Sequence, residues 1–358
     1  MRIVVAMSGG VDSSVAAALL AELGHDVIGL SMQLYPAGQG PAEGAEAFGG
    51  CCTLDDLHDA RRVAQAIGIP HYILNFEQRF QDTVVSDFVR QYAAGRTPLP
   101  CAHCNSDLTF STLLDRALGL GAERVATGHY ARVEMGASGR WLLVRSADRD
   151  KDQSYFLFSL TQEQLAHASF PVGALTKSEV RAEARRIGLN VAEKRDSQEI
   201  CFVPDGDYAA FVARQDPSVS RTGAIVDQEG RVLRHHDGVH RFTIGQRKGL
   251  GISAPIPLYV SRIDARSGAV TVGPRASLER AALTASGVNW VAVSEPPAAW
   301  LRAAAQIRHR HQAAAGRVRA LEDHRAEFAF DEPQSAVTPG QAVVFYDGDV
   351  VVGGGWIE

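Results

Sequence analysis

Apolar and polar positions in the first half of the chain alternate between two periods. Residues 2–7, 27–32, 72–76 and 124–127 are short apolar runs of the kind that form buried strands. Between them lie stretches with helical spacing. Residues 13–23 are rich in Ala and Leu and stop at Gly24. Residues 54–67 carry Leu57, Ala60, Val63, Ala64 and Ile67 on one face and stop at Gly68. Residues 80–94 and 110–120, the latter closed by Gly121, have the same character. Strands alternating with helices predict an α/β fold with a parallel, doubly wound sheet.

Near Pro204 the pattern changes. Helical spacing becomes scarce and hairpin signals recur: Asp227-Gln228-Glu229-Gly230, Ala265-Arg266-Ser267-Gly268 and Asp347-Gly348-Asp349. These predict small β domains or a barrel. Boundaries are expected near residues 205 and 277, giving segments 1–205, 206–276 and 277–358. Pro296-Pro297 reads as a loop, and residues 37–50, rich in Gly, Ala and Pro, as a mobile one.

At 358 residues the chain is too long for one ordinary core, and its 46% apolar content is ample for several. No apolar run approaches the roughly 20 residues needed to cross a bilayer. The N-terminus enters a strand directly, so a soluble, cytoplasmic protein with no membrane partner is expected. The net charge of −5 counts mildly against nucleic-acid binding. Charge is unevenly spread, however. Residues 302–319 hold five arginines, two histidines and no carboxylate, and residues 234–248 hold four basic residues, three histidines and one aspartate. Such stretches suit sequence-independent phosphate contacts, or are merely solvated surface.

The strongest local signal is Ser8-Gly9-Gly10-Val11-Asp12-Ser13, between the first strand and the first helix. Glycines let the backbone turn tightly against an anion, and the helix N-terminus offers free N–H groups to it. Ser8 and Ser13 add hydroxyls, and Asp12 can hold Mg²⁺ or orient the loop. A Walker lysine is absent, as is the dinucleotide G-x-G-x-x-G spacing. The loop resembles the pyrophosphate loop of PP-loop ATPases, which cleave ATP between the α and β phosphates. Met32, at the carboxyl end of the second strand, faces the expected nucleotide crevice or fills a core. Gly128, in Thr127-Gly128-His129-Tyr130, lets the backbone approach a nucleotide or closes a plain turn.

Five cysteines are an odd number, which favours chemistry over staples. Cys101-Ala102-His103-Cys104 is a C-x-x-C pair, compatible with redox chemistry, metal binding or a sulfur relay. No second C-x-x-C exists. His103 and Cys201, or Cys51 and Cys52, would have to complete a zinc site.

The set of motifs, in order, resembles the tRNA-specific 2-thiouridylase family. It comprises the loop, Gly95-Arg96-Thr97-Pro98, Cys104-Asn105, Ala126-Thr127-Gly128-His129-Tyr130, Lys151-Asp152-Gln153-Ser154-Tyr155-Phe156-Leu157 and Phe170-Pro171-Val172-Gly173. Asp196-Ser197 with Ile200-Cys201-Phe202, Gly245-Gln246-Arg247-Lys248-Gly249-Leu250-Gly251, Val337-Thr338-Pro339-Gly340-Gln341 and Gly353-Gly354-Gly355 complete it. Other PP-loop enzymes share only the first of these.

The resemblance implies a PP-loop domain (adenine nucleotide α-hydrolase-like), a small central β-rich domain and a C-terminal β-barrel. It implies ATP and Mg²⁺, with the nucleotide on Ala6, Met7, Ser8, Gly9, Gly10, Val11, Asp12, Ser13, Met32 and Gly128. Cys104 becomes the catalytic cysteine and Cys201 the persulfide carrier. Leu99, Pro100, Cys101, Lys151, Asp152, Gln153, Arg308, His309 and Arg310 become tRNA contacts. The substrate would be wobble uridine 34 of the tRNAs for Lys, Glu and Gln. A cysteine desulfurase or sulfur-relay protein would feed it.

One departure stands out. The family commonly has Asn-Pro-Asp where this chain has Leu99-Pro100-Cys101. A thiol replaces an acid, so Cys101 is expected either to handle protons in a relay with Cys104 and Cys201, or to join them in holding a [4Fe–4S] cluster or zinc. The rivals are a different adenylating PP-loop ligase and a non-catalytic zinc- or redox-sensing tRNA-binding module.

Overall fold

The first strand forms because residues 3–5 are Ile-Val-Val and both of its faces are covered. Ile3, Val4 and Val5 are at most 2% exposed. The structure is a computed structural model that describes residues 1–35, 54–194, 200–203 and 205–358. The expected loop 37–50, Cys51, Cys52, Asp196 and Ser197 lie outside the described residues. The chain divides into two compact units. One holds Met1–Val84, Cys101–Gly206 and Asp349–Val351; the other holds Val85–Pro100, Asp207–Gly348 and Val352–Glu358.

The first unit begins with β1 (Arg2–Ala6), α1 (Val11–Glu22), β2 (Asp26–Gln33), α2 (Leu54–Ile67) and β3 (His71–Asn75). β4 (Arg124–Ala126), the hairpin of β5 (Ala131–Met135) and β6 (Trp141–Arg145), and β7 (Ala168–Ser169) follow. Five strands form one sheet in the order β3-β2-β1-β4-β7, every pair parallel, as the alternation predicts. α1 is buried along most of its length because its residues are small. Ser14, Val15, Ala16 and Ala17 are fully covered. α2 has the predicted bounds and buries Leu57, and its Ala60, Val63 and Ala64 join the same core as α1.

Several elements differ from expectation. The helix expected from residue 80 begins at Glu77, and its turns over Gln81–Val85 are π-wound. The helix expected from residue 110 begins at Pro100 and is π-wound over Cys104–Thr112 before returning to α over Leu113–Gly119. Proline suits a first helical position, where its missing N–H costs nothing. Two further helices, Gln162–His167 and Lys177–Ile187, start with reciprocal capping boxes, Thr161 with Gln164 and Thr176 with Glu179.

The second unit contains the helix Tyr208–Gln215, then β8 (Gly223–Val226), β9 (Val232–His236), β10 (Tyr259–Asp264) and β11 (Ala269–Gly273). These strands pair in the order β10-β11-β8-β9, and both hairpin turns fall where the sequence signals them. β12 (Glu279–Trp290), β13 (Leu301–Gln306), β14 (Ala314–Ala320), β15 (Ala326–Ser335), β16 (Ala342–Asp347) and β17 (Val350–Ile357) run in the order β12-β15-β14-β13-β16-β17. β17 pairs back to β12, which closes a six-stranded barrel. Phe328, Phe345, Val318 and Ala305 fill it.

Buried imidazoles in this unit predict a pH dependence. His240 is fully buried and His236 nearly so. Burial pushes both below the usual histidine range, with Arg241 adding to the effect on His240. His236 donates from Nε2 to the Gly268 carbonyl and accepts from the Gly238 N–H, both at 3.0 Å, so it is held neutral. The unfolded chain therefore binds more protons below the ordinary histidine value of 6.5, and stability is present above that pH and lost as pH falls through it. The thermal midpoint is expected to be flat above about pH 6.5 and to drop by several degrees by about pH 5, before carboxylates titrate. His240→Phe should shrink that drop. A midpoint unchanged between those pH values contradicts the assignment.

Candidate active site

The loop Ser8–Ser13 leaves β1 at its carboxyl end and enters α1 with Gly10 as the residue before the first turn. Its side chains mostly face inward. Val11 is 3% exposed and packs in the core, and Ser13 is 4% exposed. Ser13 Oγ accepts from the Ser8 N–H at 3.2 Å and lies 3.3 Å from Ser8 Oγ, and Ser14 Oγ donates to the Gly10 carbonyl at 2.8 Å. The hydroxyls thus tie the loop to itself, while the Gly10 N–H at the start of α1 donates to no acceptor among the described residues.

The glycines divide the steric work differently from what the sequence suggests. Gly9 has φ 73°, and a Cβ there would lie 2.1 Å from the Asp56 carbonyl oxygen. Gly128 lies so close to α1 that a Cβ would fall 2.4 Å from the Ser13 nitrogen. Gly10, with φ −86°, would bring a Cβ no nearer to the protein than 3.6 Å, to Ser8 Oγ. The tight approaches are therefore loop to α2 at Gly9 and strand end to loop at Gly128.

Asp12 has one clear role in the structure. Its carboxylate accepts from Lys177 Nζ at 2.7 and 2.8 Å and from the Tyr130 hydroxyl at 2.7 Å. Lys177 also lies 5.7 Å over the Tyr130 ring. Tyr130 is locked by Gln153, whose N–H donates to the Tyr130 carbonyl and whose side chain accepts from the Tyr130 N–H. This orients the loop. Among the described residues no group of three or more His, Cys, Asp or Glu is placed to hold a metal ion. Lys177 escaped the sequence reading. Its only local signal is a position just after the capping threonine Thr176.

Met7, just past β1, is buried, and Met32 and Ala6 are half-buried. Beside them Ser31 Oγ donates to the Met7 carbonyl at 2.6 Å, so the His71 Nε2 at 2.8 Å is the donor to Ser31. Burial holds His71 below the usual histidine range, which keeps this ring neutral.

The thiols sit at the start of the helix that begins at Pro100. Cys101 and Cys104 are one turn apart on one face. Cys101 is exposed, Cys104 and Cys201 are half-buried, and no disulfide joins these three. Among the described residues, Cys101, Cys104 and Cys201 are not gathered into a group placed to hold a metal ion. Asn105 anchors the helix by donating to the Phe156 carbonyl at 3.2 Å. Asp107 feels burial, which raises it, but hydrogen bonds from His103 and Ser106 outweigh this and hold it below the usual carboxylate range. Phe202, next to Cys201, meets Phe80 edge-on at 5.6 Å, and the helical turn Glu77–Phe80 packs against Cys104–Thr112. Neighbouring segments of one unit thus carry Cys104 and Cys201.

The expected RNA contacts fall in different surroundings. Leu99 and Pro100 are buried. Asp152 is 8% exposed; it pairs with Arg145 at 2.8 Å and accepts from Ser154 Oγ and the Ser146 N–H, which shapes the loop carrying Lys151. Arg308, His309 and Arg310 are exposed in the turn between β13 and β14. The charge runs are weaker than their counts. Arg302 pairs with Asp331 and Arg319 with Glu327, both on β15, and His236 and His240 are buried.

No helix among the described residues is long and apolar enough to cross a membrane. The family described as the tRNA methyl transferase HUP domain matches residues 1–205. The matching PRC-barrel domain covers residues 210–274, and the aminomethyltransferase β-barrel domain covers residues 280–357. Curated relatives named tRNA-specific 2-thiouridylase MnmA align along the full chain. One from Geotalea uraniireducens is 56% identical over 100% of this chain and 95% of its own. One from Geobacter metallireducens is 55% identical over 100% and 96%, and one from Halothermothrix orenii is 46% identical over 100% and 99%. With more than half of its residues shared over the whole of its length, and a phosphate-type loop opening a parallel sheet, this chain belongs to the tRNA-specific 2-thiouridylase family.

Proposed function

We propose that the chain uses ATP to adenylate the C2 oxygen of wobble uridine 34 in tRNA and replaces that oxygen with sulfur, giving 2-thiouridine. The observation that carries this is the glycine-turned loop at the start of α1, with Asp12 held by Lys177 and Tyr130, in one unit with Cys104 and Cys201. Oxide is a poor leaving group and AMP a good one. The uracil O2 attacks the α-phosphorus, the bond to the β-phosphate oxygen breaks, and pyrophosphate leaves into the loop's N–H groups. Magnesium would arrive on the phosphates. With Asp12 already bonded twice over by Lys177, no step is assigned to a protein-held ion.

The sulfur half uses the two thiols. The terminal sulfur of a Cys201 persulfide attacks C2 and AMP departs. The Cys104 thiolate then attacks Cys201 Sγ; the S–S bond to the transferred sulfur breaks, the electron pair stays with that sulfur, and a Cys104–Cys201 disulfide forms. A thiol reductant resets the pair, and a desulfurase or relay protein reloads Cys201. Cys101 stands one turn from Cys104 and is assigned proton handling. The reaction must release AMP and pyrophosphate in step with thiouridine, and a tRNA-dependent ATP turnover without that stoichiometry would overturn the reading.

Residues 1–205, 206–276 and 277–358 are taken as catalytic, central and barrel domains. Lys151, Arg308 and Arg310 are assigned to tRNA phosphates, which implies salt-sensitive binding. Replacing Arg308 and Arg310 together by Ala is expected to weaken tRNA binding and to reduce the slope of log affinity against log salt by about one to two. Filter binding across a salt series checks this. An unchanged slope would make these arginines ordinary surface charge.

A further inference from the structure

Helix α2 meets the phosphate loop backbone to backbone, at the contact of Gly9 with the Asp56 carbonyl. Beside that contact lies the Lys194 ammonium. It donates to the Gly9 carbonyl at 3.0 Å, to Asp56 Oδ1 at 2.6 Å and to Asp59 Oδ2 at 2.6 Å. An ammonium has three donors, and here all three are used. Lys194 therefore has none left for a phosphate, and its single charge is already faced by two carboxylates. Its role differs from that of a phosphate-binding lysine.

The Gly9–Gly10 peptide shows what that role is. A trans peptide is planar, so the Gly9 carbonyl and the Gly10 N–H point in opposite directions. With the carbonyl held on Lys194, the Gly10 N–H is turned away from the lysine, and it donates to no acceptor among the described residues. Gly9 itself sits at φ 73°, a conformation that leaves the loop few internal reasons to keep this peptide in one orientation.

We propose that Lys194 is a positioning residue of the phosphate loop. Clamped by Asp56 and Asp59, it holds the Gly9–Gly10 peptide so that the Gly10 N–H is presented to the leaving pyrophosphate, without touching the nucleotide. This rests on the reading of the loop as the phosphate site of ATP.

The test compares full-length wild type with Lys194→Met, Lys194→Arg and Asp59→Asn. Calorimetric ATP binding, the KM values for ATP and tRNA, kcat for AMP formation and the thermal midpoint are measured for each. Loss of one charge-assisted bond to the loop is expected to raise the KM and Kd for ATP about tenfold or more in Lys194→Met. The KM for tRNA should stay within about twofold, since the lysine acts only on the loop. Lys194→Arg should recover most of the ATP affinity, because a guanidinium can still bridge the carboxylates and a carbonyl. Asp59→Asn, which keeps the contact with Gly9, should show a smaller rise. A purely structural lysine would instead lower the midpoint and kcat with the KM for ATP unchanged, which overturns the proposal. If Lys194→Met does not fold, an unchanged KM for ATP in Asp59→Asn overturns it as well. Wild type that binds ATP while Lys194→Met binds it equally well sinks this proposal alone. Wild type that does not bind ATP sinks the loop's assignment first, and the proposal with it.

Discussion

Gly9→Ala and Gly128→Ala are each expected to cut AMP formation by at least about a hundredfold, whereas Gly10→Ala folds normally. A Cβ at Gly9 meets the Asp56 carbonyl oxygen at 2.1 Å, and one at Gly128 meets the Ser13 nitrogen at 2.4 Å. Both obstacles are backbone, so the loop must move as a unit to make room. A displacement of about 1 Å in a group that positions reacting atoms costs about a hundredfold in rate. Gly9 adds the cost of a left-handed φ for a residue with a Cβ. Gly10→Ala meets nothing closer than 3.6 Å and has φ −86°, so its thermal midpoint should match wild type within about 2 °C. Its activity then isolates how closely the nucleotide itself approaches that position. Gly9→Ala with wild-type AMP formation would show that the loop is not the phosphate site.

Cys104→Ser and Cys201→Ser are expected to abolish thiolation, and Cys101→Ser to slow it by only about tenfold, a modest proton-transfer contribution. The reason is chemical. A serine hydroxyl neither carries a persulfide nor attacks one, whereas proton exchange at position 101 has substitutes in water and neighbouring groups. Cys104 and Cys201 ride on neighbouring segments, Cys104 at the start of a helix and Cys201 beside Phe202, which packs on Phe80. Iron, sulfide and zinc analysis after anaerobic purification belongs with this series. A stoichiometric cluster that thiolation requires, and that disappears in Cys101→Ser, would replace the relay with a cluster mechanism.

How much of this was legible depended on whether a residue's partner was near it in sequence. α2 was found at its bounds because its apolar stripe and its stop at Gly68 are local. The hairpin turns before β9, β11 and β17 were legible for the same reason. The helix from Pro100 was not. Its first turns carry cysteines, an asparagine and a serine, and its π-wound stretch breaks the 3.6 period that would have announced it. Lys177 and Lys194 were missed because Asp12 is 165 residues from the first, and Asp56 is 138 from the second. The basic run 302–319 looked stronger than it is because the carboxylates that neutralise Arg302 and Arg319 lie on another strand. That Gly9 is hemmed in by α2, with a Cβ there 2.1 Å from the Asp56 carbonyl oxygen, is a distinction that only φ and the position of α2 reveal.

The central claim is oxygen-to-sulfur exchange at the wobble uridine. Unmodified tRNAs for Lys, Glu and Gln are incubated with the protein, ATP, Mg²⁺ and a persulfide-generating desulfurase. The nucleoside at position 34 is then analysed by mass spectrometry. The account predicts a mass gain matching one sulfur for one oxygen at that position, dependent on ATP and absent in Cys201→Ser. An unmodified uridine 34 under conditions where the protein binds both ATP and tRNA would contradict it.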